Sequence, residues 1–65
     1  MKNKIKVLRA ELNFSQDDLA KAVEVSRQTI NAIENGKFNP SVKLAMKISK
    51  VFNCKVEDVF QLDGE

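Results

Sequence analysis

The 65-residue chain has room for one domain, spanning residues 1–65, and a domain of this size buries only about 60 % of the surface that its unfolded form exposes. A single cysteine, Cys54, and the absence of histidine exclude an internal disulfide and leave too few ligands for a zinc site, so oligomerisation is the remaining way to add buried surface. The formal charge is only +2, no apolar run approaches the roughly 18 residues of a membrane span, and the amino terminus lacks an apolar signal region, so the free thiol predicts the reducing cytoplasm.

Taken in order, the chain predicts an all-α fold of five helices. In the first, Ile5, Leu8 and Leu12 recur at i, i+3 and i+7 as an apolar stripe, and Asn13 ends it. The second starts from Ser15 as N-cap, with Asp18 three residues on as a weaker form of the capping box. Phe14 and Leu19 match a hydrophobic staple across that cap, and Leu19, Ala20 and Val23 supply the inner face. The third repeats this grammar, with Ser26 as N-cap, Val25 stapling onto Ile30, and Asn35-Gly36 as the stop. Asn39-Pro40-Ser41 turns the chain into a fourth helix, whose Leu44, Ala45, Ile48, Val51 and Phe52 form a regular apolar stripe. A short fifth helix covers about residues 56–60, and Phe60 and Leu62 alternate with polar residues as an edge strand would.

Only Glu24, Val25 and Ser26 separate the second helix from the third. A connection of that length makes the two cross steeply, as in a helix-turn-helix unit, here over about residues 15–35. On a helical wheel Ile30 and Ile33 face inward, with Thr29 beside them, while Arg27, Gln28, Asn31, Ala32 and Asn35 span the opposite side. This polar stripe lies on the helix that such units insert into the major groove. Gln28 donates and accepts at once, which matches the N6/N7 edge of adenine, and the planar fork of Arg27 fits guanine or a phosphate. Asn31 is a further base-edge candidate, and Ala32 suits a thymine methyl. Charge is also arranged in blocks. Lys2, Lys4, Lys6 and Arg9 open the chain without an acid, and Glu11, Asp17, Asp18 and Glu24 follow against Lys21 alone. Such blocks divide a compact domain into basic and acidic faces.

The stretch SQDDLAKAVEVSRQTINAIENGKFNPS, from Ser15 to Ser41, resembles the helix-turn-helix of the phage-repressor family, the Cro-like or Xre-type transcriptional regulators. The closing KISKVFNCKVEDVF is similar to the end of its short single-domain members. The resemblance implies a five-helix, lambda-repressor-like domain that binds double-stranded operator DNA and dimerises. It implies base contacts from Arg27 and Gln28, and phosphate contacts from Gln16, Asn35 and Lys37, extended by Asn39 and Ser41. It also implies a largely buried ion pair between Arg9 and Glu34. Glu24 stands where the family often has glycine in the tight turn, and Lys55 where relatives often carry a Ser or Thr cap.

Phe52, Val56, Val59, Phe60 and Leu62 give the region from about 52 to 62 more apolar surface than a small core absorbs, which marks it as the expected homodimer interface. Catalysis is not expected. The chain has no histidine, Gly-rich phosphate loop or nucleophile elbow, and Glu57 and Asp58, adjacent on a helix, do not face each other. No cofactor, metal or membrane partner is implied, and no residues are left over for a small-molecule effector domain. The expected function is a sequence-specific regulator, a homodimeric repressor reading an inverted repeat. The alternative is an antitoxin-like or adaptor protein that uses the same fold chiefly to bind another protein.

Overall fold

A computed structural model describes residues 1–62. In chain order it contains β1 (Lys2–Asn3), α1 (Ile5–Leu12), α2 (Gln16–Val23), α3 (Arg27–Glu34), α4 (Val42–Val51), α5 (Val56–Val59) and β2 (Phe60–Gln61). The helices start where short polar side chains can take up free backbone amides. Ser15, Ser26 and Ser41 accept from the N–H groups of Asp18, Thr29 and Leu44. At α2 the box closes from both sides, because the Asp18 carboxylate accepts the backbone N–H of Ser15 at 2.9 Å. That bond holds the Asp18 carboxyl below its usual pKa. A carboxyl lowered in the folded state stabilises it above the unfolded pKa, so this cap weakens as acid protonates it. Lys55 offers α5 no side-chain acceptor, and only Asp58 acts there, taking the Lys55 N–H at 3.2 Å.

Helix ends share one device. Asn13, Glu24, Gly36 and Asn53 take positive φ just after α1, α2, α3 and α4, and the following N–H reaches back into the last turn. After α3, the N–H of Gly36 meets the carbonyl of Ile33 at 3.0 Å, and that of Lys37 meets Ala32 at 2.9 Å. Glu24 at φ 63° carries a side chain in a region costly for any residue but glycine or asparagine. Glu24→Gly should therefore raise stability by about 1 kcal/mol, since the exposed Lys47–Glu24 pair at 3.3 Å is worth little. A chemical melt showing no gain would mean that the turn bears no such strain.

The core is assembled from Ile5, Leu19, Ala20, Val23, Ile30, Ile33, Ala45, Ile48, Val59 and Phe60. Three sequence expectations need correcting. Leu12, part of the apolar stripe of the first helix, is 48 % exposed, because α1 turns only Ile5 and Leu8 toward the core. The fifth helix stops at Val59, since Phe60 leaves it to enter β2. There Phe60 and Gln61 pair antiparallel with Asn3 and Lys2, so the edge strand spans Phe60–Gln61 and has a partner at the amino terminus that the helical periodicity did not announce. Finally, Val59 and Phe60 were expected at a dimer interface but lie in the core of the chain itself, at 0 % and 7 % exposure. Val59 ends α5 on its inner side, and Phe60 turns inward where β2 pairs with β1.

Candidate nucleic-acid interface

α3 is seated by Ile30 and Ile33, both buried, which leaves its opposite side outward. Arg27, Gln28 and Asn31 are exposed along that side, and Ala32 is half-buried at its margin. Arg27 and Gln28 sit in the first turn, just after the Ser26 cap, so their side chains leave the end of the helix that faces away from the loop. Asn35, Lys37, Asn39 and Ser41 are exposed in the segment joining α3 to α4. Gly36, at φ 74°, bends this segment back so that Lys37 is anchored to Ala32 by its backbone. The Ser41 hydroxyl accepts from Leu44 at 3.1 Å, and its own hydrogen is left to donate to an acceptor such as a phosphate.

Behind the stripe lies a polar network that joins α1, α2 and α3. Arg9 donates through Nε to Glu34 Oε2 at 2.6 Å and through Nη2 to Oε1 at 3.1 Å. Its Nη1 reaches the Phe14 carbonyl at 2.9 Å. The two side chains retain 14 % and 6 % of their exposure, and the bonds to Glu34 raise the pKa of an already permanently charged guanidinium. Gln16, half-buried at the start of α2, donates from Nε2 to Glu34 Oε1 at 3.2 Å. Glu34 therefore turns its charge inward, away from the polar stripe, and fixes which end of the Gln16 amide carries the hydrogens. A second N–H of that amide stays unengaged.

Two features had no sequence signal. Asn3 donates to the Ile33 carbonyl at 2.9 Å and accepts from Ile5 N–H at 3.2 Å, so the amino-terminal strand braces the end of α3. Phe38, flanked by Lys37 and Asn39, is 51 % exposed, whereas periodicity assigns no face to a loop residue. Among the described residues no cluster of His, Cys, Asp or Glu suits a metal ion. No helix among them is long and apolar enough to cross a membrane.

The profile of the helix-turn-helix family matches residues 5–59. The chain belongs to the helix-turn-helix family of transcriptional regulators. An HTH-type transcriptional regulator of Methanocaldococcus jannaschii is 62 % identical over 60 residues, covering 92 % of this chain and 91 % of the relative. The HTH-type regulator YgzD of Bacillus subtilis is 54 % identical over 65 residues, covering 100 % and 98 %. Among solved structures, the N-terminal DNA binding domain of SinR from Bacillus subtilis superposes with a TM-score of 0.80 at 28 % identity, covering 95 % of this chain and 91 % of that one. The restriction-modification controller protein C.AhdI from Aeromonas hydrophila shares the fold at TM-score 0.80 and 23 % identity, over 88 % and 86 % of the two chains. The matched residues run from the start of α1 to the end of α5 and include the steep α2–α3 pair.

Proposed function

We propose that this DNA-binding regulator is a cytoplasmic homodimeric repressor that reads an inverted-repeat operator through the major groove and occludes a promoter. The observation that carries the reading is the outward stripe of Arg27, Gln28 and Asn31 on a helix whose other side is locked into the core. Gln28 and Arg27 read base edges, with Asn31 one turn on, and Ala32 meets a methyl group only at close approach. Asn35, Lys37, Asn39 and Ser41, with Gln16 across the groove, hold the phosphates that set the register.

One such helix spans too few base pairs for specific affinity, which a second copy supplies. Met46 at 59 % and Val56 at 36 % exposure line one groove, and Leu62 at 66 % exposure and the half-buried Phe52 add further apolar surface. The groove between α4 and α5 is lined by Lys43, Lys47 and Lys50 of α4 and, across from them, by Lys55, Glu57 and Asp58. A two-fold axis through this groove would make every contact reciprocal, so a lysine of one copy set against Glu57 or Asp58 of the other would count twice. Val59 and Phe60 support this surface from beneath.

The deciding experiment selects binders from random DNA duplexes at near-physiological salt. An enriched inverted repeat with half-sites about one helical turn apart is the expected result. Retention with no motif would overturn it and favour a protein as the main partner. Once a site is in hand, Gln28→Ala should relax preference at one base pair by about 1–3 kcal/mol. Lys37→Ala should weaken binding to all sequences alike and flatten the salt slope by about one. Identical behaviour of the two variants, read by titration across salt, would refute the division into base readers and phosphate clamps.

A further inference from the structure

The amino-terminal strand lies against the last turn of α3. Asn3 Nδ2 donates to the Ile33 carbonyl at 2.9 Å. The Met1 carbonyl oxygen is 3.6 Å from where a Cβ on Gly36 would stand, and Lys2, Asn3, Asn35 and Gly36 line one hollow. We propose that Asn3 is a positioning residue for DNA binding, holding the turn from which Asn35 and Lys37 reach the phosphates. The inference rests on the reading of Asn35 and Lys37 as phosphate contacts and adds the element that fixes where they stand.

Carbonyls in the final turn of a helix have no partner within it. In α3 the Ile33 carbonyl takes the Gly36 N–H at 3.0 Å, and the neighbouring Ala32 takes the Lys37 N–H at 2.9 Å. Those bonds are local, in an exposed segment, and the last turn carries no basic side chain to support them. The Asn3 bond comes from 30 positions away, so it ties the turn to the body of the domain. Its base is firm. Asn3 pairs with the buried Phe60, and the next amide, that of Lys4, donates to the Val59 carbonyl at 2.9 Å. Asn3 Oδ1 accepts the Ile5 N–H at 3.2 Å, so the half-buried side-chain amide is held at both ends.

Asn35 and Lys37 ride on the turn that Asn3 holds, and a turn that loosens carries both contacts off together. Arg27 and Gln28, at the other end of α3, stay where the Ser26 cap fixes them. Loss of the brace therefore weakens binding to every sequence and leaves base preference alone, as befits phosphate contacts.

The test is a double-mutant cycle between Asn3→Ser and Lys37→Ala. Affinity is measured on a mixed-sequence duplex at low salt, where phosphate contacts dominate, with each protein well below its melting temperature. Serine keeps an oxygen that can accept the Ile5 N–H but stops one bond short of Ile33. Asn3→Thr, better suited to a strand, takes its place should Asn3→Ser melt too low. Folded Asn3→Ser should bind roughly two- to tenfold more weakly, since a brace biases the turn by no more than the net free energy of its own bond. The motif it selects from random duplexes should match that of the wild type. Lys37→Ala should then cost less affinity in the Asn3→Ser background than in the wild type, because the contact is already displaced. A part in folding alone leaves the affinity of the folded variant at the wild-type value, and that result would overturn the proposal. So would losses that simply multiply, or a changed motif. Lys37→Ala binding as tightly as the wild type would instead defeat the phosphate reading, and this proposal with it.

Discussion

Glu34→Ala should destabilise the domain by about 3–5 kcal/mol, because it leaves the Arg9 guanidinium without its carboxylate in a site where both are largely shielded from water. Native domains hold only about 5–15 kcal/mol in total, and one of this size lies toward the lower end, so the variant gives up most of its margin. The melting temperature should fall on the order of 20 °C, since each kcal/mol shifts a domain this small by about 4–8 °C. The same change frees Gln16 from Oε1, so DNA affinity should drop for all sequences alike even where the helices remain formed. Replacing both partners with apolar residues of similar volume, Arg9→Met with Glu34→Leu, should recover much of the stability. A loss below about 1 kcal/mol would place the pair with solvent-screened contacts such as Lys21–Asp17, whose side chains are 79 % and 55 % exposed.

Ile30→Ala should cost about 2–5 kcal/mol, the range for emptying a buried branched side chain, because Ile30 is fully enclosed on the inner side of α3. Val42→Ala, at a position 78 % exposed, should change stability by less than about 0.5 kcal/mol. Both substitutions shorten a β-branched residue, so denaturant titration of the pair isolates burial from propensity. At low temperature, where Ile30→Ala is still folded, its base preferences should match the wild type, as Ile30 faces away from the stripe. A changed motif with full helicity would mean that Ile30 also tunes the angle of α3 in the groove.

The two variants mark where local chemistry ends and tertiary packing begins. The caps at Ser15, Ser26 and Ser41, the stop at Asn35-Gly36 and the positive φ at Glu24 act through bonds that span five positions or fewer. Their partners lie within reach of a reader of the sequence. The split of α3 into an inner side with Ile30 and Ile33 and an outer side with Arg27, Gln28 and Asn31 follows from helical period alone. Neither required coordinates.

Contacts between distant residues were beyond that reach. Phe60 and Leu62 look alike in sequence, yet one is 7 % and the other 66 % exposed, because pairing with Asn3 pulls only the first inward. Leu12 fits the stripe of its helix but extends past the neighbours that cover Ile5 and Leu8. Glu34 holds Gln16 because α1, α2 and α3 meet at one point, and no spacing along the chain encodes that meeting. The sequence by itself determined the helices, their ends, the outward stripe and the family likeness, since each depends on nearest neighbours or on periodicity. Only the tertiary structure decided which apolar side chains are core and which remain free for a partner, and which polar groups orient one another, since burial and hydrogen bonding depend on what the rest of the chain brings alongside.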